Sequence, residues 1–199
     1  MLNIRHTCEK YLYNSTNEVH ILQTTTLEPF RPLIQLPSLK KSRSSHCVIL
    51  RKSTAYILGG ICIDYYSNCS QQYVCLNSCE SINLLSQQHE DLPDMNDARF
   101  GFAAALYQDS IVVMGGKSEN GLVLASVERF CFTSKTWTYM TPLTAPRYGH
   151  CAFVSDNVLY VLGGHFTDTV EAYDPINDSW SIHDQTEKMH FFSAMCSLK

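Results

Sequence analysis

Residues 145–180 read APRYGHCAFVSDNVLYVLGGHFTDTVEAYDPINDSW, and this stretch decides how the rest of the chain is interpreted. An arginine is followed by an apolar run, turn residues at Ser155 to Asn157, and a second apolar run that ends in Gly163-Gly164. The segment EAYDP and a tryptophan complete the stretch. Short β-prone runs separated by turn residues are typical of antiparallel strands joined by tight hairpins. A small antiparallel sheet is therefore predicted here.

The spacing of these residues occurs three times in the sequence. An arginine precedes a Gly-Gly pair by sixteen residues, and a glutamate precedes an aromatic position by nine. The arginines are Arg43, Arg99 and Arg147, the glutamates are Glu80, Glu128 and Glu171, and the aromatic position holds His89, Trp137 and Trp180. The segment from the second glycine to the glutamate changes length, spanning 20, 12 and 7 residues. A repeat of about 50 residues with one variable loop predicts a propeller or solenoid, whose units pack on one another.

At these residues the sequence resembles the kelch repeat, in which each copy forms one four-stranded blade of a β-propeller. The resemblance covers roughly Pro37 to Leu198. It implies that strand a follows the arginine, strand b ends at the glycine pair, strand c carries the glutamate and strand d begins around the tryptophan. The expected fold class is all-β, a partial kelch β-propeller with about three full four-stranded blades plus terminal part-blades.

We predict one kelch-repeat domain over residues 1–199. It divides into a partial blade at 1–36, blades at 37–92, 93–140 and 141–188, and the start of a further blade at 189–199. The runs Glu18 to Leu22 and Phe30 to Leu36 are expected to be strands c and d of the partial blade. An open arc is favoured over a closed four-bladed ring, and its exposed edge strands would permit self-association.

The first blade carries a long insertion after its glycine pair, with four cysteines at Cys62, Cys69, Cys75 and Cys79. Their spacing lacks the paired C-x2-C pattern of structural zinc sites, so an exposed loop with reduced thiols is favoured over a metal site. The residues after the insertion have helical composition. The repeat register nevertheless predicts a strand at Ser81 to Leu85.

The composition narrows the classes of partner. A net charge of -4 and a pI near 6 offer no basic surface for nucleic acid or an anionic membrane. The N-terminal sequence has charged residues where a secretory signal needs an apolar run, so a cytoplasmic location is expected, with reduced thiols. No cofactor is expected.

Several repeated residues are expected to be structural. Each glycine pair can adopt positive φ and let the next blade approach closely, and Trp137 and Trp180 can pack between blades. Glu128 and Glu171 lie within apolar strands and therefore need a partner, either a backbone amide or an arginine of a neighbouring repeat. His46 and His150 are expected to be packed strand residues.

The candidate partner-binding residues lie on the connections that bound strands a and b. In similar kelch domains the d-to-a and b-to-c connections form the face that holds a partner peptide. The predicted set is Arg43, Arg99, Phe100, Arg147, Tyr148, His165, Phe166 and Asp168. Arginines there would favour acidic segments, and adjacent aromatics are common interface anchors. The alternative is that each arginine only ties its loop to an adjacent glutamate.

The expected function is a non-catalytic protein-interaction module. It resembles the substrate-recognition part of kelch-like adaptors of cullin-RING ubiquitin ligases, although no BTB module is recognisable in this sequence. Association with actin is an alternative that some kelch proteins suggest. A kelch-propeller enzyme is the third reading. It is weakened because Tyr65, Tyr66 and the nearby cysteines do not assemble into a copper-oxidase ligand set, and because His150 and Cys151 are strand neighbours that point to opposite faces.

Overall fold

The structure is a computed structural model that describes residues 2–4, 20–23, 34–35, 37–65, 71–165 and 167–185. Every regular element among these residues is a β-strand. The strands are β1 (Leu2–Ile4), β2 (His20–Gln23), β3 (Ile34–Gln35), β4 (Cys47–Arg51), β5 (Thr54–Tyr65), β6 (Gln71–Asn83), β7 (His89–Leu92), β8 (Ala103–Tyr107), β9 (Ser110–Met114), β10 (Val127–Cys131), β11 (Thr136–Met140), β12 (Cys151–Ser155), β13 (Val158–Leu162), β14 (Thr169–Asp174) and β15 (Ser179–Gln185).

Twelve of these strands form three four-stranded antiparallel sheets, each made of consecutive strands. We call β4–β7 blade 1, β8–β11 blade 2 and β12–β15 blade 3. The predicted hairpin at Ser155 to Asn157 is present, and blade 2 has an equivalent hairpin at Gln108 to Ser110. In both, the two turn residues have positive φ, at 46° and 55° for Gln108 and Asp109, which suits the right-handed twist of the flanking strands. The all-β fold class is confirmed, while the exact blade boundaries remain a prediction.

The insertion of blade 1 is not the exposed loop that we expected. β5 and β6 continue past the glycine pair as a long hairpin, with Tyr65 paired to Gln71. Cys62, Cys75 and Cys79 are buried free thiols, whereas Cys69 lies outside the described residues. β-Branched and aromatic side chains in the insertion favour a ribbon over a loop. The predicted strand from Ser81 is confirmed by β6, which runs to Asn83.

The N-terminal region contains a three-stranded sheet of order β1-β2-β3. β2 and β3 pair antiparallel within the two predicted runs, and β1 adds a strand that the sequence did not indicate. The predicted strand in residues 189–199 lies outside the described residues. The choice between an arc and a ring therefore also falls outside them.

The hydrophobic core lies between neighbouring blades. The buried core residues between blades 1 and 2 are Leu58, Cys79, Met95, Phe102, Ile111, Val113, Phe130 and Trp137. Those between blades 2 and 3 are Ala105, Tyr107, Val112, Met114, Val127, Leu143, Leu159, Val161, Tyr173 and Trp180. The predicted inter-blade role of the tryptophans is confirmed. Each indole also donates to the connection before its blade, Trp137 to the Pro93 carbonyl at 2.9 Å and Trp180 to the Thr141 carbonyl at 3.0 Å.

The glycine pairs bring adjacent blades close together, as predicted. Gly115 has a φ of +59°, and a Cβ atom there would lie 2.5 Å from the Arg147 carbonyl oxygen and 2.8 Å from the His150 ring. The next amide, of Gly116, donates to the same Arg147 carbonyl at 2.9 Å. A side chain would prevent this contact, so the pair is needed for stacking rather than for chemistry.

Candidate partner-binding rim

The three repeated arginines lie inside their blades. Arg43 is 2% exposed, and Arg99 and Arg147 are 0% exposed. Each forms an ion pair with the glutamate of its own blade: Arg43 with Glu80, Arg99 with Glu128, and Arg147 with Glu171. A cation buried at this depth needs a full set of partners, because desolvation is otherwise far too costly.

The hydrogen bonds of the arginines repeat atom by atom. In blade 2, Arg99 Nη1 donates to the carbonyls of Gly115 at 2.7 Å and Ser126 at 3.0 Å. Its Nη2 donates to the Ser126 hydroxyl at 3.1 Å and to Glu128 Oε1 at 2.7 Å. The same four contacts hold Arg43 and Arg147 in blades 1 and 3. Each arginine thus joins strands b and c to the start of strand a.

The glutamates complete this network from the other side. Glu128 accepts from the backbone amides of Asn96 at 2.7 Å and Asp97 at 3.0 Å, both in the connection that leads to the arginine. The amides of Lys40 and Thr144 play the same part for Glu80 and Glu171. The expected partner was an arginine of a neighbouring repeat or an amide. The structure provides the amide together with the arginine of the same repeat.

The prediction that Arg43, Arg99 and Arg147 contact a partner is therefore wrong. Their guanidinium groups are inaccessible and already bound to a carboxylate, and this is the alternative that the sequence left open. A residue type that was absent from the prediction also takes part. A hydroxyl lies two residues before each glutamate, in Ser78, Ser126 and Thr169, and the spacing alone could have revealed it.

The residue after each arginine lies on the surface beside the residue after each glycine pair. The amide of Ser44 donates to the Ile61 carbonyl at 2.9 Å and the amide of Ile61 donates back at 2.9 Å. Phe100 and Lys117 exchange the same two bonds, and the amide of His165 donates to the Tyr148 carbonyl at 2.9 Å. We call these residues the bridge rim: Ser44, Ile61, Phe100, Lys117, Tyr148 and His165. The backbone bonds repeat while the side chains differ.

The bridge rim is joined across blades by backbone hydrogen bonds. The Gly101 amide donates to the Ser45 carbonyl at 2.9 Å, and the Gly149 amide donates to the Gly101 carbonyl at 2.7 Å. All three residues have positive φ, at 52°, 60° and 64° for Ser45, Gly101 and Gly149. This chain of bonds fixes the spacing of the rim positions from one blade to the next.

Three rim side chains come together at the junction of blades 2 and 3. The Lys117 ammonium lies 4.2 Å from the centroid of the Tyr148 ring, which makes a cation–π contact. The His165 ring lies 4.8 Å from the Tyr148 ring on a tilt of 45°. All three residues are half-buried. They present an aromatic surface flanked by a permanent cation and an imidazole.

The other predicted partner-binding residues are Phe100, Phe166 and Asp168. Phe100 is half-buried and bonded to Lys117, Asp168 is exposed, and Phe166 lies outside the described residues. Sequence reasoning missed Lys117. It follows a glycine pair just as His165 does, so the repeat register could have identified it.

The long hairpin of blade 1 borders this surface. The Cys75 thiol donates to the Lys117 carbonyl at 3.7 Å. Burial, followed by the nearby Glu119 carboxylate, raises the pKa of Cys75 to about 11, so the thiol stays protonated. Cys75 thus contributes packing to the bridge rim rather than a reactive thiolate.

The His150 imidazole, next to the first strand of blade 3, and the Cys47 thiol, on the first strand of blade 1, are poorly suited to catalysis. Burial, together with the charge of Arg147, lowers the pKa of His150 to about 3. Burial raises the pKa of Cys47, on the equivalent strand of blade 1, to about 12. A weakly basic imidazole and an un-ionised thiol do not make a nucleophile and its base. The packing role predicted for His150 agrees with its burial against Gly115.

The repeated blades and the bridge rim define the chain as a β-propeller protein. The family profile described as the KLHDC2/KLHL20/DRC7 Kelch-repeats domain matches residues 9–164, and the chain belongs to the kelch-repeat family. Kelch-like protein 36 of Mus musculus is 29% identical over 167 residues, 81% of this chain and 26% of that protein. Beta-scruin of Limulus polyphemus is 27% identical over 149 residues, 69% of this chain and 16% of that protein.

The fold has a counterpart among solved structures. The structure titled "Structure of YjhT" matches with a TM-score of 0.71 at 13% identity, covering 88% of this chain and 61% of that one. This likeness concerns the fold. The chain spans about a quarter of the length of Kelch-like protein 36. A search of the described residues finds no helix with the length and apolar character of a membrane span.

Proposed function

We propose that this chain is a non-catalytic protein-interaction module that contacts its partner through the bridge rim. The observation that carries the proposal is the cluster of Lys117, Tyr148 and His165. An aromatic ring between two nitrogen-bearing side chains, held on a rigid backbone bridge, is a typical anchor for a partner protein. Phe100, Phe166 and Asp168 would contribute the neighbouring contacts.

The chemistry of the rim supports an acidic partner segment. With the three arginines buried, the favourable charge for a carboxylate comes from Lys117, and the His165 imidazole lies beside it on the other side of Tyr148. The exposed carboxylates of Glu119 and Asp168 would restrict the position at which an acidic side chain can approach. Nucleic acid and membrane surfaces are not part of the proposal, since the chain carries a net charge of -4.

The finer proposal is substrate recognition of the kind made by kelch-like adaptors of cullin-RING ligases, in which a further module would recruit the ligase. Binding to actin is the second candidate, as the resemblance to kelch proteins that bind actin suggests. A cytoplasmic location belongs to the same proposal.

Catalysis is not part of the proposed function. The pKa values of the His150 imidazole and the Cys47 thiol disfavour acid–base or nucleophilic catalysis near neutral pH. The exposed outer strands β7, β11 and β15 would permit self-association, because the outer edge of each strand is unpaired within its sheet.

The experiment compares partner capture by three forms of the protein. The double variant Lys117→Ala/Tyr148→Ala removes the cluster, and Leu85→Ala changes an 83% exposed residue at the opposite end of blade 1 as the control. Captured proteins are quantified by mass spectrometry, and actin is tested separately by filament pelleting. We expect the double variant to lose specific partners that the control retains. Equal capture by all three forms would overturn the proposal, and pelleting that depends on the cluster would select actin.

A further inference from the structure

A cavity of about 250 Å³ opens between blades 1 and 2 at the end of the blades opposite the bridge rim. It is lined by Arg51, Thr54, Tyr56, Ser81, Asn83, Gln88, Glu90 and Leu92 of blade 1 and by Phe132 and Lys135 of blade 2. We call it the corner cavity. It is distant from the proposed partner-binding surface, because antiparallel strands place their a–b and c–d turns at the other end of the sheet.

The same corner between blades 2 and 3 carries charged side chains of both signs. The hydrogen bond that Asp178 accepts from Tyr173 lowers the pKa of Asp178, and the charge of Arg129, on strand β10, adds a smaller lowering effect. That hydrogen bond, from the Tyr173 hydroxyl to Asp178 Oδ1, is 2.6 Å long. The Tyr107 ring packs edge-on against Tyr173 with centroids 6.1 Å apart. A cation of blade 2 and an anion of blade 3 thus influence each other at this corner.

Repeat spacing identifies the residues that differ between the two corners. Ser81 follows Glu80 in blade 1 as Arg129 follows Glu128 in blade 2. Blade 1 therefore has a serine at the position where blade 2 has an arginine. Lys135 lies seven residues after Glu128, as Asp178 lies seven after Glu171, and both have positive φ, at 52° and 46°. The turn residue has therefore changed from an anion to a cation. Compared with the corner between blades 2 and 3, the corner cavity has a cation at the turn but lacks the anion that would face it.

The corner cavity keeps polar groups available to such an anion. Ser81 is 5% exposed, and its hydroxyl makes no hydrogen bond within the described part of the chain. The ammonium of Lys135 makes no ion pair with the described residues and is exposed. Thr54 and Gln88 add a hydroxyl and an amide to the lining. Glu90, on the outer strand β7, reduces the net positive charge of the lining.

One wall of the corner cavity is aromatic and rigid. The Arg51 guanidinium lies 4.1 Å from the Phe132 ring centroid, and the Tyr56 and Phe132 rings are 5.2 Å apart in an edge-on arrangement. Arg51 is fixed by Asp109 through bonds of 2.8 Å from both Nε and Nη2. Its charge is thus largely matched, and Lys135 is the cation left for a ligand. An apolar wall beside a cation and hydroxyl groups suits an organic acid better than an inorganic ion.

We propose that the corner cavity is a binding site for a small organic carboxylate. The carboxylate pairs with Lys135 and accepts a hydrogen bond from Ser81, while the carbon skeleton lies against Tyr56 and Phe132. The site is independent of the proposed partner-binding function. Its ligand would supply the anion that Asp178 provides at the next corner.

The test uses citrate as the probe, titrated into the full chain and followed by calorimetry and by amide NMR shifts. We expect saturable binding with shifts centred on Ser81 and Lys135. We also expect at least about tenfold weaker binding in Lys135→Glu, because the paired charge is reversed. Lys52→Glu makes the same charge change at an exposed turn residue outside the lining and should alter binding less than about twofold. Inorganic phosphate should bind more weakly than citrate.

A grafted variant separates occupancy from charge. Ser81→Arg combined with Lys135→Asp gives the corner cavity the same residue types that Arg129 and Asp178 provide between blades 2 and 3. The grafted protein should fold, shown by retained amide dispersion, and should no longer bind citrate. The proposal is overturned if citrate does not bind wild-type protein at millimolar concentration, if the graft binds it unchanged, or if phosphate binds equally well. Equal weakening by Lys52→Glu and Lys135→Glu would also overturn it, since the effect would then come from net charge.

Discussion

Two regions that are adjacent in sequence behave in opposite ways in this molecule. The arginine that begins each repeat is identical in the three blades and makes the same four kinds of contact every time. The next residue is Ser44, Phe100 or Tyr148, and it lies on the bridge rim. The backbone around both positions is the same. Interior chemistry is therefore fixed by the repeat, while the rim varies freely from blade to blade.

The physical reason lies in what each position must satisfy. A buried guanidinium loses water and recovers the cost through a charged partner and several acceptors at fixed positions, so few geometries are acceptable. A rim residue is held by its backbone bridge, and its side chain faces solvent on at least one side. Its identity can then change without loss of the fold. This comparison predicts a gradient of mutational effects from interior to rim.

The largest effect is expected for Arg99→Met. The change leaves Glu128 buried without its cation and leaves the Gly115 and Ser126 carbonyls without their donor. Breaking a buried pair of this kind costs about 3–5 kcal/mol of the free energy of unfolding. Urea unfolding followed by tryptophan fluorescence measures it. The control, Arg51→Met, removes a pair whose Asp109 side chain is 71% exposed, and should cost less than about 1 kcal/mol. Similar losses for both variants would contradict the comparison.

The next effect concerns the contact between blades. Gly115→Ala forces a left-handed backbone on alanine and places a Cβ atom 2.5 Å from a carbonyl oxygen. We expect a loss of at least about 2 kcal/mol. Gly121→Ala is the matched control, since Gly121 has a φ of +78° but no atom within 4 Å of its would-be Cβ. Thermal unfolding of the pair isolates the close approach. A Gly121 variant as unstable as the Gly115 variant would assign the cost to backbone strain alone.

The third prediction uses a natural replacement within the repeat. The position of His150 holds Phe102 in blade 2. Because the pKa of His150 is lowered from 6.5 to about 3, the folded state keeps this imidazole neutral while the unfolded chain binds a proton below pH 6.5. The contribution of His150 to the free energy of unfolding is therefore fully present above pH 6.5 and is lost as the pH falls towards 3. Between pH 7 and pH 5 the loss from this group is about 2 kcal/mol.

His150→Phe should remove that part of the pH dependence. Urea unfolding of wild type and variant at pH 7, 6 and 5 gives two slopes of free energy against pH. The wild-type slope should be the steeper, because both chains share every other titrating group. Identical slopes would show that His150 is accessible to protons in the folded state.

The fold could be predicted from the sequence because residues with the same physical requirement recur at the same spacing in each blade. Positive φ at the glycine pairs and burial of Trp137 and Trp180 could be foreseen, since each follows from the residue type. A strand was also predicted from Ser81 although the local composition is helical, because the spacing of the repeat was given more weight than helix propensity. The long β5–β6 hairpin was missed, because a variable segment has no second copy to compare.

The candidate site was harder to predict, for a reason visible in Arg147 and Tyr148. A cation before an aromatic residue fits a binding face and fits a buried ion pair equally well. The deciding signal was the set of hydroxyl and glutamate residues at fixed distances, which gives both terminal nitrogens of the arginine their acceptors. The cluster of Lys117, Tyr148 and His165 joins two loops and a neighbouring blade, so no local pattern predicts it.

The smallest effect is expected for Lys117→Ile, which gives blade 2 the residue that Ile61 provides in blade 1. The bonds between Phe100 and Lys117 are made by the backbone and survive the change. What is lost is the cation–π contact with Tyr148, worth about 0.5–1 kcal/mol at a partly exposed site. Urea unfolding measures the loss, and hydrogen exchange of the residue 117 amide reports whether the bridge persists. Loss approaching that of Arg99→Met, or rapid exchange of this amide, would mean that rim side chains hold the blade together. The separation of a fixed interior from a variable rim would then fail at the residue on which partner binding depends.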